Sequence, residues 1–244
     1  MWEMTPILKN LVKNILRQLG IVVHKKQRWY NNYRWITDRQ IRTVIDIGAN
    51  TGQFVLFIKD IVPDATVYAF EPVSEVFEKL KKNITDPKVF LYQYALGAEN
   101  TEADINVNTF NPSSSLLELA NSHIANYEFA RKSHTERIQV RRADDVLREV
   151  LLDNDILVKI DVQGYEDKVL KGAREVLAKA KIVICEICYE ELYKNQELFH
   201  TLYTTLSEMG YRYAGNLEQY YNNETGIPLY ADGIFIKEDN DRNE

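Results

Sequence analysis

Two glycines and three acids stand where a chain of alternating strands and helices would place a ligand. The stretch Asp46-Ile47-Gly48-Ala49-Asn50-Thr51-Gly52 follows the β-branched apolar run Thr43–Ile47 and opens a helical stretch beginning at Gln53. Glycine permits a tight turn and a close backbone approach to a ligand, and the amides of a helix start suit a carboxylate. The spacing is Gly-x-x-x-Gly, not the Gly-x-Gly-x-x-Gly that fits a dinucleotide pyrophosphate, and no Gly-Lys-Ser/Thr of a phosphate loop follows. Glu71, with Pro72 after it, ends the next apolar run, Thr66–Phe70. A carboxylate at that place accepts hydrogen bonds from both hydroxyls of a ribose, so the expected ligand is a nucleoside without a 2′-phosphate. Asp161 ends a later apolar run, residues 156–161, and is the first choice for a general base. His123 and His134, with Glu166 and Glu186, are further candidates for that role.

The elements that must position these residues alternate. Strands are expected at Thr43–Ile47, Thr66–Phe70, 89–96, 103–107, 156–161, 182–187, 211–214 and 233–237. Helices are expected over 53–61, 73–83, 165–178 and 190–209, with periodicity near 3.6. Strands this apolar, separated by helices, predict an α/β fold with a doubly wound, mostly parallel sheet and helices on both faces. Ligands in such a sheet sit outside the carboxyl ends of the strands, where Gly48, Glu71 and Asp161 all fall. The polar segment 111–136 interrupts the pattern and reads as a lid over the ligand or as a surface insertion.

Several motifs occur in one order. Asp46-Ile47-Gly48-Ala49-Asn50-Thr51-Gly52 comes first, then Phe70-Glu71-Pro72, Ala95-Leu96-Gly97 and Ser113-Ser114-Ser115-Leu116. Lys159-Ile160-Asp161-Val162-Gln163-Gly164-Tyr165-Glu166 and Val169-Leu170-Lys171-Gly172-Ala173 complete the series. Together they resemble the FkbM-type methyltransferases over about residues 43–190. The resemblance implies a class I, Rossmann-like methyltransferase fold with seven strands, the last antiparallel. It also implies S-adenosylmethionine as the cofactor and methylation of a hydroxyl on a small molecule or saccharide. On that basis Asp46 and Gly48 shape the turn, and Asn50, Thr51, Gly52 and Phe54 meet the methionine part. Glu71 and Pro72 serve the ribose, Ala95 and Leu96 flank the adenine, Ser115 lines the cofactor site, and Asp161 lies near the sulfonium. Gln163 departs from the Glu that the family more often carries. Tyr211, Tyr213, Tyr220, Tyr221 and Tyr230, near the last two strands, are candidates for stacking on the acceptor.

Charge narrows the partners. The chain has 244 residues and a net charge of −6, but residues 1–45 hold nine Lys and Arg against two acids, whereas the remainder holds 21 against 34. The acidic body argues against nucleic acid, whose phosphates need clustered cations. Residues 1–40 form a basic arm with an amphipathic helix (Ile7, Leu8, Leu11, Val12, Ile15, Leu16, Leu19). The arm is expected to pack on the domain or on a second copy of the chain as a homodimer, with peripheral contact to an anionic membrane as the alternative. The methyltransferase domain is expected over 41–238, with a polar tail at 239–244. The two cysteines and the absence of a signal-like start point to a cytoplasmic, reducing compartment. Cys185-x-x-Cys188 lies in and just past a buried strand with no second pair, so no metal site is expected.

Overall fold

In the computed structural model, residues 32–108, 115–117, 133–150, 155–222 and 224–238 are described. The amphipathic stretch of the arm, His123 and the 239–244 tail lie outside them. The chain divides into two compact units, Met1–Asp38 and Arg39–Glu244. In the first, the short helix α1 (Arg34–Thr37) is closed by an ion pair between Arg34 and Asp38. The functional residues described below belong to the second unit.

Strands β1 (Thr43–Ile47) and β7 (Ile156–Ile160) are buried at every position. Such runs form because each strand has parallel neighbours on both sides and cover on both faces. With β2 (Thr66–Phe70), β3 (Val89–Tyr92), β8 (Ala180–Cys188), β9 (Tyr211–Tyr221) and β10 (Pro228–Lys237), they make a seven-stranded sheet in the order β3-β2-β1-β7-β8-β10-β9. All neighbouring pairs are parallel except those of β10, which runs antiparallel to both β8 and β9. The expected mostly parallel sheet with an antiparallel last strand is therefore present. Strand order reverses between β1 and β7, so the carboxyl ends of β1, β2 and β7 face the crevice at that switch point.

Helices α2 (Gln53–Ile61) and α3 (Ser74–Asn83) follow β1 and β2, burying Val55, Ile58, Ile61, Phe77 and Leu80. After the short α4 (Ala143–Val146) comes β7, then α5 (Glu166–Gly172), α6 (Arg174–Lys179) and, after β8, α7 (Phe199–Glu208). Ile45, Ile47, Val158 and Ile160 share one apolar cluster with Val169, Leu170, Leu177, Leu202 and Leu206 of these helices. Val44 and Leu157, alternating with them, are fully buried too, so the sheet is covered on both faces. Among the described residues no helix is long and apolar enough to cross a membrane. Cys185 and Cys188 are buried in two different clusters.

The structure departs from the sequence expectation in several places, among them the last two strands, which run Tyr211–Tyr221 and Pro228–Lys237 rather than 211–214 and 233–237. The strand expected over 89–96 is two: β3 ends at Tyr92, and β4 (Ala95–Leu96) leaves the main sheet for a three-stranded one, ordered β4-β6-β5. In that sheet β5 (Thr101–Asn108) pairs antiparallel with β6 (Ser133–Arg141), so part of the segment read as polar and irregular is strand. The expected helix over 165–178 breaks between Gly172 and Ala173. A Cβ at Gly172 would lie 1.9 Å from the Gly97 carbonyl oxygen, so the helix end rests on the backbone beside β4. Finally, residues 189–198 are not helical. Gln196 Oε1 accepts the amides of Leu192 (2.6 Å) and Tyr193 (2.8 Å), and Glu191 Oε1 accepts that of Asn195 (2.7 Å). These side chains give the backbone partners that compete with a helix.

Candidate functional site

The turn after β1 is built from left-handed backbone, which favours glycine and, less strongly, Asn. Gly48 has φ +85°, and a Cβ there would lie 1.9 Å from the carbonyl oxygen of Asp161, on the loop after β7. Asn50 adopts a left-handed φ of +49°. Its amide donates to Glu71 Oε2 (3.0 Å), and its Oδ1 accepts the amide of Thr51 (2.7 Å). The amides of Gly48 and Ala49 both reach the Phe70 carbonyl, at 3.0 and 2.9 Å, and that of Gly52 reaches Ala49. Thr51 offers its carbonyl to Asn83 Nδ2 (2.9 Å), and Gly52 meets the side chains of Ile84 and Leu80. The turn thus satisfies its own amides. Those that open α2, at Gln53 and Phe54, have no intrahelical partner by geometry. The ring of Phe54 lies tilted against Phe57, centroids 5.8 Å apart.

Glu71 spans the two strand ends. Oε2 holds Asn50 and Oε1 accepts the amide of Val73 (2.9 Å), yet burial pushes its carboxyl up to about 7. Asp46 is 1% exposed, and its Oδ2 has no hydrogen-bond partner among the described residues. Burial raises it to about 7 as well; Lys159 opposes the shift, while Asp161, Glu71 and Asp232 add to it. A buried carboxylate oxygen without a donor, next to a half-buried turn, asks for a polar ligand group.

Beyond β7 lies a denser polar network. The ammonium of Lys159, 5% exposed, contacts Asp161 Oδ2 (3.1 Å) and Asp232 Oδ1 of β10 (2.9 Å). Burial pulls the lysine toward neutrality, but Asp161, Asp232 and Glu186 outweigh it and hold the charge. Gln163 Nε2 donates to Asp161 Oδ1 (2.8 Å) and, at 3.2–3.3 Å, to both oxygens of Glu186. Gln163 Oε1 accepts the Tyr193 hydroxyl (2.6 Å). Glu186 is driven well above the carboxylate range by burial, then by Asp161 and Glu166. Glu166 accepts the amides of Val162 and Gly164, each at 3.1 Å, and burial pushes it up to about 7.

The other expected residues occupy distinct places. Ser115 is buried and donates its hydroxyl to the Gln163 carbonyl (2.6 Å), tying β5 to the loop after β7. Ala95 and Leu96 sit in apolar clusters just beyond β3. Pro72 lies between Glu71 and Val73 at the start of α3. His134 is exposed on β6, with Glu75 as a charged neighbour. Among the expected site residues, Asp46, Gly48, Asn50, Glu71 and Asp161 are brought directly together. Reading the strands for acids did not find Lys159, Asp232 or Tyr193. The first two did leave a signal, since each is a charge inside an otherwise apolar strand; Tyr193 left none.

Comparison with known proteins identifies the family. The family profile described as the methyltransferase FkbM domain matches residues 46–213. The 2-O-methyltransferase NoeI of Sinorhizobium fredii is 26% identical over 160 residues, covering 63% of this chain and 66% of that one. Methyltransferase 1 of Beauveria bassiana is 30% identical over 142 residues, covering 53% and 57%. The hexuronic acid methyltransferase AglP of Haloferax volcanii is 27% identical over 142 residues, covering 58% and 54%. The chain therefore spans less than two thirds of the length of these relatives. Among solved structures, a protein of Listeria monocytogenes described as an S-adenosylmethionine-dependent methyltransferase aligns with TM-score 0.48 and 11% identity, over 85% of this chain and 98% of that one.

Proposed function

The chain belongs to the FkbM methyltransferase family, and we propose that it transfers a methyl group from S-adenosylmethionine to a hydroxyl of a saccharide or other small molecule. The observation that carries this reading is the meeting of Asp46, Glu71 and Asp161 around one glycine turn at the switch point of the sheet. The residues fit the donor. Asp46 Oδ2 lacks a partner that an ammonium or hydroxyl can supply. Glu71, fixed by two backbone amides, keeps lone pairs on both oxygens for ribose hydroxyls. When bound, the donor supplies an electrophilic methyl on a sulfonium and leaves as a neutral thioether.

The protein's own part is positioning and proton transfer. Holding acceptor and methyl in line is worth about 7–11 kcal/mol. A hydroxyl acceptor must also lose its proton; in this reading Asp161 receives it, a role supported by its half-exposed position just after β7. Lys159 and Gln163 fix its two oxygens from the buried side. Such a base contributes about 10²–10⁴-fold. The relative named for 2-O-methylation supports an oxygen acceptor, and the one named for hexuronic acid methylation supports a saccharide.

Thermal-shift titration with S-adenosylmethionine, S-adenosylhomocysteine and NAD tests the donor. The first two are expected to raise Tm and NAD to leave it unchanged; a shift with NAD alone overturns the reading. Transfer of labelled methyl to a saccharide and natural-product panel, with the product mapped to oxygen, tests the acceptor.

A further inference from the structure

We infer that the β9–β10 ribbon carries a stacking subsite for a neutral sugar ring, formed by Tyr220 and Tyr230 and bordered by Glu218 and Asp232. The inference rests on the methyl-transfer reading above and says which acceptor that site takes. In the register of the sheet, Asp232 of β10 stands opposite Glu186 of β8, and Tyr230 opposite Cys188. Residues two apart on a strand share a face, so Tyr230 lies on the face that carries Asp232. Lys159 joins Asp232 to Asp161 on that same face. From Asp232 to Tyr230 is about 7 Å of strand, enough to span a sugar ring. Tyr220 pairs with Tyr230 across the ribbon and stacks on it, with centroids 4.5 Å apart and planes 14° from parallel. Tyr220 is nevertheless 42% exposed.

Two features select the occupant. A near-parallel pair of tyrosines with Tyr220 exposed suits the apolar face of a pyranose, while phenol and carboxylate suit its hydroxyls. Glu218 Oε2 takes the Tyr220 hydroxyl (2.8 Å), so a phenol and a carboxylate stand together at the edge of the pair. Acids border the pair: Glu218 is bonded to Tyr220, and Asp232 and Asp161 lie on the face that Lys159 occupies. The ammonium of Lys159 already bridges two of them. A uronate would bring another anion to this border, so the subsite discriminates in favour of uncharged sugars.

The test is glycan binding by protein loaded with S-adenosylhomocysteine. An array presenting maltotetraose, cellotetraose, further neutral glycans and tetragalacturonate serves as the probe, alongside labelled methyl transfer. Binding is expected to neutral glycans and not to the uronate. Tyr220→Ala should weaken it about 2- to 12-fold, while Tyr220→Phe keeps it and neither changes S-adenosylhomocysteine affinity. Equal binding by Tyr220→Ala, or a preference for the uronate, overturns the subsite. A blank array from protein that still methylates a non-saccharide hydroxyl overturns it too and leaves methyl transfer standing. Glycan binding without any methyl transfer retains the subsite and overturns the reading of the reaction.

Discussion

The Lys159 ammonium lies 2.9 Å from Asp232 Oδ1, joining the middle of the sheet to its antiparallel strand. The same nitrogen holds Asp161 at 3.1 Å, so one buried cation fixes the expected base and a second carboxylate together. Lys159→Met removes the cation and keeps the length of the side chain. It leaves Asp161 and Asp232 facing each other near Glu186, and breaking a buried pair in this way costs about 3–5 kcal/mol. The expected result is a lower denaturation midpoint at pH 8, with a smaller deficit at pH 5, where Asp232 and Glu186, both raised by burial, take protons more readily. An equal loss at both pH values would show that Lys159 contributes packing alone.

How much of this was legible beforehand depends on where each residue sits along its strand. Asp46, Glu71 and Asp161 each end or nearly end an apolar run, so strand pattern and the switch-point rule located all three. The link from Lys159 to Asp232 spans 73 residues and crosses β8. It depends on strand order and on the register of an antiparallel pair, neither of which a local pattern contains. Strand β6 was hidden because only Ile138 and Val140 turn inward as apolar residues, while Arg137 pairs across to Glu102 and Asp104. The helix break after Gly172 answers a close approach to Gly97, a contact between segments far apart in sequence.

Gly48 permits a comparison of two causes of strain. Its φ is +85°, and the Asp161 carbonyl occupies the space a Cβ needs. Gly215 has φ +118° with nothing within 4 Å of a Cβ. Gly215→Ala therefore carries the backbone cost alone, about 1–2 kcal/mol. Gly48→Ala must also push β1 and the loop after β7 apart, adding about 1–3 kcal/mol. Chemical denaturation should rank the two in that order, and only Gly48→Ala should weaken S-adenosylmethionine binding. Equal losses would show that the turn can shift at no cost.

Donor binding is expected to release protons near neutrality. Burial is the leading cause that places Asp46 and Glu71 at about 7, above their ordinary 3.8 and 4.5. Without ligand, the folded protein then holds more protons than the unfolded chain between about pH 4 and 7. Their contribution to stability is full below pH 4 and declines as pH rises through 7. A cationic sulfonium and ammonium favour the ionised carboxylates, so donor affinity should rise with pH. One proton released gives about a tenfold gain from pH 6 to 8. Calorimetry in buffers of different ionisation enthalpy measures the proton count, and a count of zero at pH 7 would refute the linkage.

Asp161 separates oxygen methylation from transfer to an acceptor that needs no base. Asp161→Asn keeps the size of the side chain and an oxygen for Lys159 or Gln163, but it cannot accept a proton from a hydroxyl. Turnover should fall by about 10²–10⁴-fold, while the affinity for S-adenosylhomocysteine stays within a few fold. Part of any loss could come from Lys159, which would keep only Asp232 as a full counter-charge. Measuring Lys159→Met beside it resolves this, because damage through charge imbalance appears in the denaturation midpoint and loss of the base appears in kcat. If Asp161→Asn turns over at the wild-type rate with a folded, donor-binding protein, the proton is not taken there. Methylation of nitrogen or of a carboxylate then becomes the better account of the site.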